Sequence, residues 1–89
     1  MIERGFSIVN KRGLHARAAA RFVHVASTFE SDIVVIHESE EADGKSILSL
    51  MVLGAGPGTL VTIRTSGADE ALAMERLGAL IGGGFDEHD

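Results

Sequence analysis

The sequence predicts an α/β (α+β) two-layer open-faced sandwich of order βαββαβα, a four-stranded antiparallel sheet with three helices able to face one side. Two observations carry that prediction: stretches with a period of two residues alternate with stretches of helical period, and turn-forming residues separate them. A third bounds it, because 89 residues without an internal repeat or low-complexity segment make a single domain, taken as 1–89.

In the first strand, Ile2–Val9, Phe6 and Ile8 alternate with Ser7 and Val9, and "NKRG" ends the pattern. A helix is expected over about Ala16–Phe29. Its apolar residues Ala19, Phe22, Val23 and Ala26 fall on one face and Arg17, Arg21, His24 and Thr28 on the other. "SDIVVIHE" is apolar enough for a central strand, and "EEAD" reads as a short edge strand whose charges discourage unwanted pairing. Ser46 is a favoured N-cap and Gly54 a favoured left-handed C′ residue, so a short helix should occupy Ile47–Leu53. That helix is so apolar that some of Ile47, Leu48, Leu50, Met51, Val52 and Leu53 must stay exposed. "AGPG" is a tight connection into the strand "TLVTIRT", with Leu60, Thr62 and Arg64 on one side and Val61 and Ile63 on the other. The last helix, about Asp69–Ile81, carries Ala73, Met74, Leu77, Leu80 and Ile81 on one stripe, and residues 82–89 are expected to form a frayed tail.

Composition removes several function classes. No uncharged apolar run approaches the roughly 18–20 residues needed to cross a bilayer, and "MIERGF" lacks a signal-peptide core, so a cytoplasmic location is the default expectation. The absence of cysteine excludes disulfides, thiolate zinc sites and a cysteine nucleophile. Without Trp or Tyr, and with a net charge of -5, the chain is not expected to bind nucleic acid. The charge is uneven: Arg4, Lys11, Arg12, Arg17 and Arg21 precede any later acid, whereas Glu30 to Asp43 holds six acids and no base. The basic stretch is either a solvated face or a surface for anionic groups or an acidic partner.

"GAGPG" lacks the pattern of a P-loop and reads as a turn, and no G-x-S-x-G elbow or triad spacing occurs. Of His15, His24, His37 and His88, none is spaced with another or with a carboxylate for metal binding, so neither a metal nor a cofactor is expected. His24 and His37 read as surface residues. His15 differs by position. It falls at the N-cap of the first helix, where Ser, Thr, Asp or Asn would ordinarily cap a free N–H. The N–H groups of Ala16, Arg17 and Ala18, the positive end of the helix dipole and the Arg17 guanidinium would converge on a group carried by its ring, which makes a place for a phosphoryl group. The same field favours the neutral, nucleophilic imidazole. A chance histidine at a helix start is the alternative reading of these residues.

"GLHARAA" at 13–19, followed by "GKSILSLMVLG" at 44–54, resembles the HPr family of histidine-containing phosphocarriers of the phosphoenolpyruvate-dependent phosphotransferase systems. The resemblance covers nearly the whole chain and implies sheet order first, fourth, second, third. It implies that His15 accepts a phosphoryl group from phosphorylated enzyme I on Nδ1 and passes it to enzyme IIA-type domains, with Arg17 steadying the transferring charge. The protein would then be a carrier with no turnover of its own, a monomer docking reversibly through Ala16, Ala20, Arg21, Ile47, Leu48 and Met51. Ser46 matches the residue modified by HPr kinase/phosphorylase, with a plain helix cap as the alternative. Ala18 stands where many members have proline. "GFDE" resembles nitrogen-type carriers and "GKSI" sugar-type ones, so the two cues conflict over pathway. A docking module that uses this fold without transfer is the competing function, and His15 speaks against it. A small hydrolase lacks a second catalytic group.

Overall fold

The computed structural model describes residues 1–87, so His88 lies outside the described residues. Strand β1 (Ile2–Ser7), helix α1 (Ala16–Ala26), strands β2 (Asp32–His37) and β3 (Glu40–Asp43), helix α2 (Ile47–Leu53), strand β4 (Leu60–Ser66) and helix α3 (Glu70–Gly82) follow in chain order, and a 3-10 turn occupies Gly84–Asp86. The sheet is antiparallel in the order β1-β4-β2-β3.

Alternation decides which side of the sheet is covered. Ile33 and Val35 of β2 and Val61, Ile63 and Thr65 of β4 are buried, while their neighbours along each strand are not. The buried set joins Ala18, Ala19, Phe22 and Ala26 of α1, Leu50 and Leu53 of α2, and Ala73, Met74, Leu77 and Ile81 of α3 in one core. At Gly78 the α3 backbone packs against the Phe6 ring of β1, and a Cβ there would lie 2.6 Å from that ring and force it to shift.

The elements run as expected with small shifts at their ends. Strand β1 is assigned to Ser7 rather than Val9, although Ile8 still exchanges backbone hydrogen bonds with Thr59 and Gly58. Helix α1 stops at Ala26 rather than Phe29. Thr28 and Phe29 donate to carbonyls three residues back, and the Thr28 hydroxyl takes the Val25 carbonyl, tightening the last turn out of the α-helical ladder. Asp69 stands at the start of α3, but its carboxylate accepts from the Glu30 and Ser31 N–H groups and the Ser31 hydroxyl instead of capping its own helix.

The expectation of a frayed tail over residues 82–89 is corrected for residues 82–87, and residues 88 and 89 lie outside the described residues. Gly82 still belongs to α3, Phe85 is completely buried, and the Arg21 guanidinium donates to the Phe85 carbonyl. Burying a phenylalanine side chain is worth about 1.5–3 kcal/mol, enough to hold a short terminal segment against fraying. The segment turns back through positive φ values at Gly84, Phe85 and Asp86, a conformation that the two non-glycine residues adopt only because the buried ring and the tie to Arg21 over-determine it.

Candidate functional site

Site construction begins in the loop before α1. Gly13 has φ +65, and a Cβ there would lie 2.5 Å from the Ala55 carbonyl oxygen. The close approach lets the Leu14 N–H donate to that carbonyl at 2.9 Å, pinning the loop to the end of α2. The buried Asn10 amide closes the loop from within by donating to the Gly13 carbonyl at 2.8 Å. With both ends held, the next residue, His15, becomes the N-cap of α1 with an extended backbone, φ -81 and ψ -178.

His15 makes no side-chain capping hydrogen bond. The first helical bond runs from the Ala19 N–H to the His15 carbonyl at 2.8 Å, so the N–H groups of Ala16, Arg17 and Ala18 lie outside the intrahelical ladder. Arg17 and Ala16 are exposed one helical step away, and among the described residues Arg17 enters no ion pair. Unpaired helix donors, the positive dipole end and the exposed Arg17 guanidinium together suit an anion placed beside the ring.

A carboxylate from the far end of the chain completes the arrangement. Glu87 Oε2 is 2.5 Å from His15 Nε2, and Glu87 Oε1 accepts from the Asn10 amide at 2.7 Å. Those hydrogen bonds, from Asn10 first and then from His15, hold the Glu87 carboxyl below the usual carboxylate range. A neutral imidazole that donates through Nε2 carries its lone pair on Nδ1, the nitrogen left without a protein partner among the described residues. Sequence reading missed both Glu87 and Asn10. Phe85 was the available signal, since a lone aromatic inside "GGGFDE" has little reason to stay in water.

The remaining predicted residues lie on α1 and on α2 or at its start. Ala20 and Arg21 of α1 line a shallow groove with Arg17, His24, Val25, Leu80 and Asp86. On α2, which packs against α1, Ile47, Leu48, Met51 and Val52 are exposed, while Leu50 and Leu53 are buried, as an amphipathic two-turn helix requires. Ser46 caps α2 through its hydroxyl, which accepts the Ser49 N–H at 3.2 Å, and Gly54 ends the helix in the left-handed region. Of the other basic residues, Lys11 and Arg12 are exposed in the preceding loop and Arg4 is exposed on β1. His24 is exposed and His37 half-buried at the end of β2, with no metal-binding cluster among the described residues. No helix among the described residues is long and apolar enough to cross a membrane.

Comparison with known proteins matches residues 2–82 to the family described as the PTS HPr component phosphorylation site. The chain belongs to the HPr family of phosphocarriers. The phosphocarrier protein HPr of Neisseria meningitidis serogroup A is 46% identical over 98% of both chains. The phosphocarrier protein NPr of Shewanella violacea is 37% identical over 97% of this chain and 94% of its own. Among solved structures, the crystal structure of HPr-C-His from Thermoanaerobacter tengcongensis covers both chains fully, with a TM-score of 0.95 at 42% identity. As a member of this family the protein is a phosphoryl carrier of the phosphotransferase system and not a catalyst.

Proposed function

We propose that His15 is the phosphoryl acceptor, through Nδ1, and that Arg17 with the free N–H groups of α1 steadies the phosphoryl group during transfer. The observation that carries this reading is the N-cap placement of His15: Nε2 is occupied by Glu87 and the helix donors beside the ring are unspent. The group would come from phosphorylated enzyme I and leave to an enzyme IIA-type domain, all in the cytoplasm. Transfer between two proteins needs a surface that can be met and left quickly. Ala16, Ala20, Ile47, Leu48 and Met51 supply small or apolar contacts, and Arg21 a basic edge, on two helices that pack together. A monomer suffices, since one chain carries the acceptor and its docking face.

Ser46 is the regulatory residue in this reading, modified by HPr kinase/phosphorylase. Ser46 is half-buried at the start of α2, beside the exposed Ile47 and Leu48. Incubation with phosphoenolpyruvate and enzyme I tests the proposal. The intact mass should rise by one phosphoryl group that is lost in acid and kept in base. A protein that stays unmodified under conditions that label a known carrier would refute it.

A further inference from the structure

Asn10, Glu87 and His15 form a chain in which each carboxylate oxygen has one partner: Oε1 takes the Asn10 amide at 2.7 Å and Oε2 faces His15 Nε2 at 2.5 Å. The geometry points to Glu87 as a positioning residue for phosphoryl transfer: it holds the His15 proton on Nε2, leaves the lone pair on Nδ1, and stabilises the positive charge that the ring acquires when Nδ1 bonds to phosphorus. This inference deepens the reading of His15 as acceptor and rests on it.

Three features show that the contact is built and not incidental. The Glu87 side chain is only 10% exposed, so its negative charge has been taken largely out of water, which is costly unless the partners are fixed. Asn10 is 6% exposed and points its amide nitrogen at two acceptors, the Gly13 carbonyl and Glu87, while its Oδ1 stays buried without a partner. An orphaned amide oxygen is a penalty tolerated in order to aim the nitrogen. Finally, the tail reaches the site only because Phe85 is buried, Arg21 holds the Phe85 carbonyl, and Gly84 takes φ +67 beside Asn10.

The chemical step is balanced without an added proton carrier. Nδ1 attacks phosphorus with its lone pair, the bond from phosphorus to the donor breaks, and that electron pair leaves with the donor. The Nε2 proton stays in place, so the ring becomes a phosphoimidazolium whose charge faces the Glu87 carboxylate. A carboxylate that accepts from an imidazole N–H both selects the tautomer and favours the charged ring, opposing the helix dipole that disfavours it. Return of the group to an acceptor reverses the same bonds.

The test compares wild type with Glu87→Gln, which keeps the shape and removes the charge, and Glu87→Ala, which removes both. The kinetics of phosphorylation by enzyme I are followed together with the nitrogen-15 shifts of the His15 ring at a pH where it is neutral. Phe85 and Arg21 still dock the tail in both variants, and the Phe85 ring signals verify this. Glu87→Gln should lower kcat about 10- to 100-fold with KM unchanged, the loss expected for one hydrogen bond to a charged group. Glu87→Ala should in addition move the ring toward the Nδ1–H tautomer, and Glu87→Asp should recover part of the rate. The inference is overturned if the wild-type neutral ring carries its proton on Nδ1, or if Glu87→Gln transfers as fast as wild type. Wild-type protein that accepts no phosphate would sink the acceptor reading instead, while the ring shifts would still report on the Glu87 contact.

Discussion

Glu87 and His15, 72 residues apart in sequence, meet side chain to side chain at the start of α1. The contact ties the end of the described chain to the N-cap of α1, and it depends on Phe85 having left solvent. Replacing Phe85 by alanine therefore has both a stability and a site consequence. A terminal turn can peel away instead of leaving a cavity, so Phe85→Ala should cost about 1.5–3 kcal/mol, the transfer value of the side chain, rather than the larger penalty of an internal void. Urea unfolding measures this. A variant as stable as wild type would mean that the ring contributes nothing to holding the tail.

Arg17 is the exposed cation nearest to His15, the proposed acceptor, in sequence. Arg17→Ala should slow transfer in both directions by about 10²-fold, as loss of one preorganised donor to a developing oxyanion does. Stopped-flow transfer from enzyme I and back is the measurement. Equal rates would show that the helix N–H groups hold the phosphate by themselves.

Ser46→Asp places a negative charge at the start of α2, where the dipole favours it and aspartate is a competent cap. The melting temperature should stay equal or rise. Phosphorylation by enzyme I should nevertheless slow, mainly through weaker apparent affinity, because the new charge sits beside Ile47 and Leu48 on the proposed docking face and opposes any acidic rim that recognises Arg17 and Arg21. Added salt should relieve part of the defect. Acceptance as fast as wild type at low salt would make Ser46 a helix cap and nothing more.

Acid stability follows from carboxylates held below their ordinary range. The Asn10 amide and then His15 do this for Glu87, the Ser31 hydroxyl and then the Glu30 N–H for Asp69, and the N-terminal ammonium and then the Gly67 N–H for Glu70. Because the folded values are the lower ones, the unfolded chain binds more protons in the window between them. The stabilisation is complete above the unfolded values of about 4 and is lost as pH falls through the folded ones. The urea midpoint should accordingly drop as pH is taken from about 5 towards 3, with a shallower drop in Glu87→Gln. A midpoint flat across that range would contradict these contacts.

Local chemistry made most of this fold legible. The alternation in "TLVTIRT" fixes which face of β4 is buried, Ser46 and Gly54 bracket α2, and the apolar surplus of α2 appears as an exposed face. His15 was legible as a cap because a helix start is defined within a few residues. Glu87 and Asn10 were not, since their roles arise from a meeting of opposite chain ends that no periodicity encodes, and the glycines before Phe85 resemble those of a loose tail. The end of α1 shifted for a related reason: a tightened last turn decides it rather than side-chain pattern.

The central claim is that His15 alone carries the phosphoryl group. Its most direct test is the intact mass of wild type and of His15→Ala after incubation with phosphoenolpyruvate and enzyme I, both proteins first shown to be folded. Wild type should gain a single acid-labile, base-stable phosphoryl group and His15→Ala none. Acid-labile phosphate retained on His15→Ala, mapped to His24 or His37, would contradict the account.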